Sequence, residues 1–308
     1  MHNYLTRDFH GYGPNPPDPQ WPGDARIAVS FVLNYEEGGE NTILNGDQGS
    51  EVYLTEVPGG QPLIGHRDFS TESAYEYGAR AGFWRILRLF AQRKIHFTSW
   101  AVGRALELNQ PAGRAMIEAG HEVASHGYRW INYKDFSEAD ERDHMHLAIR
   151  AIEAACGKRP VGWYTGRFSA HTLKLVVENG SFLYSSDSYA DDLPYYVRVE
   201  GEPHLILPYT LDVNDMKFAV PPGFSAGEGW FNYMKDAFDM LYAEGAAGSP
   251  KMMSIGMHCR LAGRPGRTAA LARFMDHVLR HERVWIATRE QIARHWMKVH
   301  PLGSTPRG

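Results

Sequence analysis

The feature that most constrains the fold is a regular alternation between short apolar runs and helical patterns. Arg26–Leu33 (RIAVSFVL) has the length and composition of a buried strand, and from Thr71 onward helices alternate with short strands. The predicted helices are Glu72–Gln92, Pro111–Ala119, Glu138–Ala155, His171–Glu178, Trp230–Tyr242, Arg267–Arg280 and Arg289–Met297, and the later strands are Ile95–Val102, Glu122–Ser125, Gly162–Tyr164, Phe182–Ser185, Met252–Met257 and Val284–Ile286. Such an alternation is typical of a parallel sheet covered by helices.

The number of strand–helix units, about seven, favours a barrel over an open sheet. An open dinucleotide-binding sheet is the alternative, but no predicted strand is followed by G-x-G-x-x-G, so a dinucleotide site has no support. In a barrel, the residues that carry the chemistry lie at the C-terminal ends of the strands. The polar residues that follow each strand are therefore the first candidates for a functional site.

Three parts of the chain are expected from the distribution of proline and glycine. Residues 1–25 form a proline-rich arm that cannot be helical and is expected to lie over the body as an oligomer contact. Residues 26–298 are expected to form a single catalytic domain, with two domains as the alternative, and residues 299–308 a disordered tail. The polar stretch Gly38–Ser70 predicts a functional loop or a subunit contact, so a homo-oligomer is expected, with a tetramer as one candidate.

Composition and charge exclude several classes of partner. The 36 acidic and 32 basic residues give a net charge of −4 without a basic stripe, so we expect no nucleic-acid partner. No segment approaches the roughly 20 apolar residues of a membrane helix, and Met1–Gly13 lacks a signal-peptide pattern, which predicts a cytoplasmic protein without a membrane partner. Cys156 and Cys259 are too few for a disulfide framework, although a single disulfide is the alternative.

Two acidic residues directly follow the first predicted strand. Glu36 and Glu37 would lie together at the mouth of a barrel. Like charges at short range raise one of the two pKa values, so such a pair can supply a general base near neutral pH. The alternative is a solvated pair in a loop, since most acidic side chains are exposed.

Two histidines occupy equivalent positions at the ends of later strands. His126 ends the run GHEVASH and His258 ends SIGMH, which favours acid/base or ligand roles over isolated structural roles. Asp187 follows another strand and could orient one of the imidazoles. Arg167 could hold a carbonyl or carboxylate group in its planar fork.

Other candidates carry weaker signals. His144 and His146 lie in an acidic helix and are interpreted as surface residues. Arg260 lies in a Gly- and Pro-containing segment that is typical of a helix-capping loop, but it follows His258 closely enough to contact a substrate. The aromatic residues predict either a flat slot for a small planar ring or ordinary core packing; they are Trp130, Trp163, Tyr164 and Tyr189.

These strand-end residues resemble the motifs of the polysaccharide deacetylase superfamily (NodB type, carbohydrate esterase family 4) over Arg26–Trp296. The resemblance implies the usual fold of that family, an α/β distorted (β/α) barrel. Tyr35-Glu36-Glu37-Gly38 stands where the family reads T-F-D-D-G. Glu36 therefore resembles the family's base and Glu37 its metal ligand, with a shift of one residue as the alternative.

The remaining motifs depart from the family pattern. The motif H-[S/T]-x-x-H corresponds to His126-Gly127-Tyr128-Arg129-Trp130, Tyr164-Thr165-Gly166-Arg167 replaces R-x-P-Y, Asp187-Ser188 keeps the Asp-Ser pair, and Ile255-Gly256-Met257-His258 resembles the last motif. Trp130 thus replaces the second histidine ligand. One histidine and one carboxylate fall short of the three protein ligands typical of catalytic zinc, so the resemblance implies no tightly bound metal and no cofactor.

One branch of the superfamily combines these departures with Tyr77–Trp84 (YGARAGFW) and with the runs His258–Arg267 and Ala287–Glu290. This branch comprises the purine-utilisation allantoinases. The likeness implies a cofactor-independent hydrolase whose small-molecule substrate is allantoin and whose product is allantoate. Hydrolysis of another cyclic imide or ureide is an alternative.

The expected mechanism distributes three roles over the candidates. Glu36 or Glu37 activates a water, His126 and His258 position it and protonate the leaving nitrogen, and Arg167 or backbone N–H groups stabilise the oxyanion. One rival is a metal-dependent peptidoglycan or chitin deacetylase, which Trp130 and the missing signal-peptide pattern oppose. Another is an inactive carbohydrate- or ureide-binding protein, which the retained carboxylates and histidines oppose.

Overall fold

The structure is a computed structural model that describes residues 1–57 and 60–302. Its centre is a ten-stranded sheet. Its strands are β1 (His2–Asn3), β2 (Ile27–Tyr35), β3 (Phe97–Ala101), β4 (Glu122–Ser125), β5 (Gly162–Trp163), β6 (Tyr184–Ser185), β7 (Tyr195–Val199), β8 (Glu202–Ile206), β9 (Lys251–His258) and β10 (Val284–Ile286). Among the described strand pairs, β7 and β8 run antiparallel and the others are parallel. The predicted parallel α/β sheet is therefore confirmed.

Strand β2 holds the sheet together because it pairs on both edges. It pairs with β9 over Ile27–Asn34 and with β3 over Phe31–Tyr35, while β10 pairs with its first residues. From β3 the sheet continues through β4, β5, β6, β8 and β7 to β1. β9 is joined to the segment after β8 by Thr210 and Ser254, whose hydroxyls accept each other's backbone N–H at 3.0 and 2.8 Å. The sheet thus curls into a distorted barrel with a side-chain seam.

Helices cover the outer face of this sheet. They are α1 (Phe69–Tyr77), α2 (Phe83–Arg93), α3 (Gly103–Leu108), α4 (Gln110–Glu118), α5 (Glu138–Cys156), α6 (Thr172–Asn179), α7 (Gly227–Ala246), α8 (Pro265–Leu279) and α9 (Arg289–Val299). The predicted helix Glu72–Gln92 corresponds to α1 and α2, which a π-helical turn at Gly78–Gly82 joins. Asp68 caps the start of α1 by accepting the N–H groups of Ser70 and Thr71, which satisfies two otherwise unpaired donors.

The packing of the core explains why the sequence of β2 is a nearly continuous apolar run. Every residue of β2 is buried, because one face of the strand packs on the helices and the other faces the interior of the barrel. Val29 and Phe31 belong to the larger cluster under the helices, whereas Ala28 and Val32 belong to the interior cluster with Trp100. A strand that is buried on both faces loses the apolar–polar alternation of an exposed sheet.

Two elements were not predicted from the sequence. Helix α3 is a short segment between β3 and α4, and the hairpin of β7 and β8 has mixed exposure without a long apolar run. The arm at 1–25 lies against this hairpin and against β9: β1 pairs with β7, and Trp21 Nε1 donates to Lys251 O at 2.9 Å. Helix α9 continues to Val299, the first residue of the predicted tail, and residues 303–308 lie outside the described part.

Two further expectations can be compared with the structure. Cys156 and Cys259 are both buried free thiols, so the alternative of a disulfide between them is wrong. Within residues 1–57 and 60–302, no helix has the length and apolar character needed to cross a membrane.

The close approach of Gly82 to the loop after β9 leads to a stability prediction. A Cβ at Gly82 would lie 2.0 Å from Cys259 O, in a place filled by backbone. We expect Gly82→Ala to lower the free energy of unfolding by about 1–3 kcal/mol, the usual cost of overpacking, in urea titrations. Gly266→Ala is the matched control, since Gly266 is also helical but has nothing within 4 Å of its Cβ position. Equal effects of both substitutions would contradict this assignment.

Candidate active site

Three strand ends bring their polar residues to one place in the barrel. Glu36 directly follows β2, His126 directly follows β4, and His258 is the last residue of β9. The register sets His258 opposite Asn34 of β2, two residues before Glu36. Glu36, His126 and His258 are 1%, 2% and 4% exposed, so their polar atoms meet inside the protein.

The Glu36 carboxylate is the centre of this cluster. Its Oε1 lies 3.2 Å from His126 Nε2 and 3.4 Å from His258 Nε2, and its Oε2 accepts a hydrogen bond from Arg260 Nη1 at 2.7 Å. Burial alone raises the pKa of Glu36, but the charges of His258 and Arg260 and the hydrogen bonds from both imidazoles hold it well below its usual range. The carboxylate is therefore ionised despite its burial.

His258 is held in place by an acidic residue that the sequence analysis missed. Its Nδ1 donates to Asp215 Oδ1 at 2.6 Å, and Asp215 Oδ2 accepts the backbone N–H groups of His258 and Ala262, both at 2.8 Å. Burial lowers the pKa of His258, but Glu36 and Asp215 outweigh it and raise the pKa to about 9. His258 is thus an imidazolium at neutral pH. Asp215 escaped notice because it lies in a short turn well after β8.

His126 has a defined proton on one ring nitrogen. Its Nδ1 lies 3.0 Å from Tyr164 O, and because a carbonyl only accepts, Nδ1 carries a hydrogen. Its Nε2 atom faces Glu36 Oε1 at 3.2 Å. The ring of Tyr164 stacks on His126 with centroids 5.1 Å apart, which fixes the plane of the imidazole.

Glu37 lies beside the cluster without touching either imidazole. Its Oε2 accepts the backbone N–H of Glu36 at 3.0 Å, and its Oε1 is buried without a hydrogen-bond partner among the described residues. Burial raises the pKa of Glu37 to about 7, although Arg260 opposes the effect. Gly78 makes room for this carboxylate, since a Cβ there would meet Oε1 at 2.3 Å. Of the two carboxylates, Glu36 is the one in contact with the histidines.

Two predicted roles are not supported by the contacts. Asp187 does not bond to an imidazole, because its oxygens accept the N–H groups of Thr165 and Gly166 at 2.7–3.0 Å and so hold the loop after β5. Arg167 is not free to hold a substrate carbonyl, because it pairs with Glu51 at 3.1 Å and lies over the Trp130 ring. Burial raises the pKa of Asp187 to about 6.

Arg260 is the arginine that contacts the Glu36 carboxylate. Arg167, which was expected to hold a carbonyl or carboxylate group, does not. Arg260 is 3% exposed, and its Nε donates to Leu54 O at 3.3 Å. Its Nη2 is buried and has no hydrogen-bond partner in the described part of the chain. An unpaired guanidinium N–H beside an ionised carboxylate is a suitable donor to an oxygen of a bound substrate.

The predicted aromatic slot is only partly formed. Trp130 is 4% exposed, and it stacks with Tyr53 while Arg260 lies 5.1 Å from its ring centre. Trp163 is not near these rings, because it packs on Phe182 in a separate cluster under α5 and α6. The contacts of Trp163 therefore match the alternative of ordinary core packing, not a place in the slot.

The long loop after β2 is hydrogen-bonded to the segment that follows His126. Trp130 N donates to Gly39 O at 2.9 Å, and Arg129 donates to Gly39 O at 3.0 Å and to Asp47 at 2.5 Å. These bonds tie the loop to the residues that follow His126. Leu54 O of the same loop accepts a hydrogen bond from Arg260 Nε at 3.3 Å, and the role of the loop as a functional loop or as a subunit contact stays a prediction.

One histidine of helix α5 differs from its predicted surface position. His144 is half-buried, and its Nδ1 lies 3.2 Å from the Tyr133 hydroxyl with Phe136 packed on the ring. Burial lowers its pKa. His146 is exposed, as the spacing of two residues predicts.

The family of the chain follows from its similarity to known proteins. The family model described as "Polysaccharide deacetylase" matches residues 69–181. A protein of Schizosaccharomyces pombe named "Putative polysaccharide deacetylase" is 48% identical over 317 residues, which cover 97% of this chain and 99% of that protein. The chain belongs to the polysaccharide deacetylase family.

Two solved structures show the same polysaccharide deacetylase fold. The crystal structure of Puue allantoinase superposes with a TM-score of 0.93 at 57% identity, covering 96% of this chain and 98% of that one. A probable polysaccharide deacetylase from Pseudomonas aeruginosa PAO1 has the same TM-score and identity, covering 96% and 99%. The fold family inferred from the strand-end motifs is confirmed.

The polysaccharide deacetylase motifs imply a divalent metal ion, but the donor atoms here do not fit one. By the resemblance, the ligand positions are Glu37, His126 and Trp130. The indole of Trp130 cannot bind a metal, and Glu37 Oε2 accepts the backbone N–H of Glu36 at 3.0 Å. One imidazole and one carboxylate fall short of the three protein ligands of catalytic zinc. Arg260 also pairs with Glu36 Oε2 at 2.7 Å, which places a positive charge beside that carboxylate.

The pKa of His258 leads to a prediction for Asp215→Asn. Because the pKa of His258 is raised to about 9, the stability it contributes is complete below its unfolded pKa of about 6.5 and is lost as the pH rises through 9. Removing the Asp215 charge lowers this pKa and destabilises the protein at pH 7 by about 3–5 kcal/mol, the cost of breaking a buried ion pair. Urea unfolding from pH 6 to pH 10 measures the stability, and NMR titration of His258 measures the pKa.

The exposed Asp212 provides the control for this experiment. Asp212→Asn removes a carboxylate of the same loop that contacts Tyr233 at the surface, so it should change neither quantity. The difference in free energy of unfolding between Asp215→Asn and wild type should become smaller above pH 9, where the wild-type His258 imidazole is neutral too. A constant difference across the whole range, or an unchanged His258 pKa, would disprove the linkage.

Proposed function

We propose that the chain is an allantoinase, which hydrolyses the hydantoin ring amide of allantoin to allantoate. The observation that carries the proposal is the Glu36 carboxylate, buried between two imidazoles and a guanidinium group, with Trp130 at the second histidine position of the family motif. The 57% identity to Puue allantoinase supports the substrate class. The reacting groups are at most 5% exposed, which suits a small ring better than a polymer.

The acid and base roles follow from the protonation states of the site. In the proposed reaction, a water adds to the ring carbonyl and gives its proton to Glu36, which is ionised. His258, which is an imidazolium at neutral pH, donates the Nε2 proton to the ring nitrogen as the C–N bond breaks. His126 Nε2 lies 3.2 Å from Glu36 Oε1, and in the proposed reaction it holds the carboxylate in position for this transfer.

The charge that develops on the carbonyl oxygen requires a donor that is already in place. Arg260 Nη2 is buried and unpaired within the described residues, so we assign this role to Arg260 instead of Arg167. The leaving nitrogen of a hydantoin is delocalised over the neighbouring ureide carbonyl and departs more readily than the nitrogen of a plain amide. The reaction therefore needs less Lewis-acid assistance than hydrolysis of a sugar acetamide.

A polysaccharide deacetylase is the second candidate function. It is favoured by the names of the relatives from S. pombe and P. aeruginosa. Trp130 at the second histidine position and Arg260 on the Glu36 carboxylate oppose that reaction if it depends on a metal ion. Substrate and metal dependence separate the two candidates.

The first test is hydrolysis of racemic allantoin by chelator-treated protein, with allantoate as the measured product. Turnover without added metal is the expected result. Activity that appears only after Zn²⁺ addition, or release of acetate from an N-acetylated oligosaccharide without any action on allantoin, would reject the proposal in favour of the deacetylase.

Glu36→Gln tests the base directly. The amide keeps the shape of the side chain but cannot accept a proton, so we expect kcat to fall by about a hundredfold or more. Glu202→Gln is the control, because Glu202 is exposed on β8, away from the cluster. A rate for Glu36→Gln near that of wild type would remove Glu36 from the mechanism.

The pH dependence tests the acid. His258 must be protonated to donate, so kcat/KM should fall as the pH rises through about 9, the pKa of its imidazole. Asp215→Asn should move this alkaline decrease in kcat/KM to lower pH, because the substitution lowers the pKa of His258. Ionisation of allantoin itself affects both enzymes equally, so an identical alkaline limb in the two proteins would argue against His258 as the acid.

A further inference from the structure

A second cluster of metal-ligating side chains lies away from the active site. Asp239 of α7 and His277 and His281 at the end of α8 each present a donor atom, and these atoms all lie within 4.8 Å of one another. Within the described residues this is the one group of three with that property. We propose that these side chains bind a divalent transition-metal ion of the zinc type.

The end of α8 brings the two histidines together. His277 lies in the last turn of α8 and His281 lies two residues past its end, where its N–H donates to Val278 O at 3.1 Å, and the two rings have a centroid distance of 4.6 Å. Asp239 reaches them from the neighbouring helix, with its Oδ1 2.7 Å from His277 Nε2. Two imidazoles and one carboxylate are a common ligand set for zinc.

The outer contacts of the cluster are those that orient metal ligands. His281 Nδ1 lies 2.9 Å from His277 O and must carry the hydrogen, so its Nε2 keeps a lone pair for a metal. Asp239 Oδ2 accepts a hydrogen bond from Lys235 Nζ at 2.8 Å, which leaves Oδ1 to face the histidines. Histidines and carboxylates that bind metals are typically fixed by such secondary hydrogen bonds.

The surroundings favour a bound cation. The histidines lie at the C-terminal end of α8, where the helix dipole is negative. The ring of Phe238 packs against both imidazoles, and Tyr242 packs against His281, so part of the site is shielded from water. The three ligands are half-exposed, which leaves a path for the ion.

The donor set also selects the ion. Imidazole nitrogens suit Zn²⁺, Ni²⁺ and Cu²⁺, whereas Mg²⁺ and Ca²⁺ prefer oxygen ligands. Binding displaces the proton between His277 Nε2 and Asp239 Oδ1 to solvent, so affinity falls as the pH is lowered. Because α8 starts near His258 and runs away from it, the ion joins α7 to α8 at the opposite end of the barrel from Glu36.

Calorimetric titration of the chelator-treated full chain with ZnCl₂ tests this site. Wild type should bind one more zinc ion than His277→Gln/His281→Gln, should not bind Mg²⁺ there, and should gain thermal stability with zinc. His281→Gln alone should also lose the ion. The change is mild because the His281 side chain makes one hydrogen bond in the described part, from Nδ1 to the backbone carbonyl of His277. His146→Gln, an exposed histidine of α5, is the matched control and should bind as wild type does.

Two further measurements make the result decisive. Unfolding in chelator shows whether each variant is folded, and allantoin hydrolysis by the double variant should equal that of wild type, since the site lies away from Glu36. Equal zinc stoichiometry in wild type and the double variant would overturn the proposal, as would the absence of zinc binding to wild type. Neither outcome would bear on the allantoinase proposal, which rests on other residues.

Discussion

The rest of the structure depends on keeping one carboxylate ionised inside the barrel. An unpaired buried carboxylate costs several kcal/mol, so Glu36 is tolerated only because opposite charge and donors meet it from separate elements. Arg260 and His258 come from β9 and the loop after it, and His126 comes from the end of β4. Correct pairing of β2 with its neighbours and neutralisation of this charge therefore occur together. The register that sets His258 opposite Asn34 thus also brings the imidazole to the Glu36 carboxylate.

A second layer of hydrogen bonds holds these groups in position, and it mostly uses backbone. Asp215 accepts two backbone N–H groups beside its bond to His258, and Asp187 ties down the loop after β5 in the same way. Arg289 is fully buried and donates to Ser186 Oγ and Leu207 O, which joins the start of α9 to the ends of β6 and β8. Such satisfied networks make the site rigid, because moving any one group would leave a buried polar atom unpaired.

The sequence predicted the elements whose signal is local and missed those whose role is set by distant partners. Apolar runs identified β2 and β9, and the residues at their ends placed Glu36 and His258 in one site. No local pattern marked Asp215, since its function arises from folding the segment after the hairpin back onto His258. The motif alignment likewise predicts that Arg167 holds a carbonyl or carboxylate group, but Glu51 occupies its guanidinium.

Trp130 and Arg260 belong together. Trp130 stands at the second histidine position of the family motif, and Arg260 places a positive charge beside Glu36. A metal ion would supply positive charge beside the carboxylate and would need a second histidine. Here the positive charge is a guanidinium at 2.7 Å from Glu36, and the indole of Trp130 lies against it with a distance of 5.1 Å from Cζ to the ring centre. A histidine at position 130 would remove that packing surface. Unlike a bound metal, the guanidinium stays charged and in place at every working pH. In the reaction that we propose, this permanent charge takes the place of a Lewis acid, and the activated leaving group of a hydantoin makes a weaker electrophile sufficient.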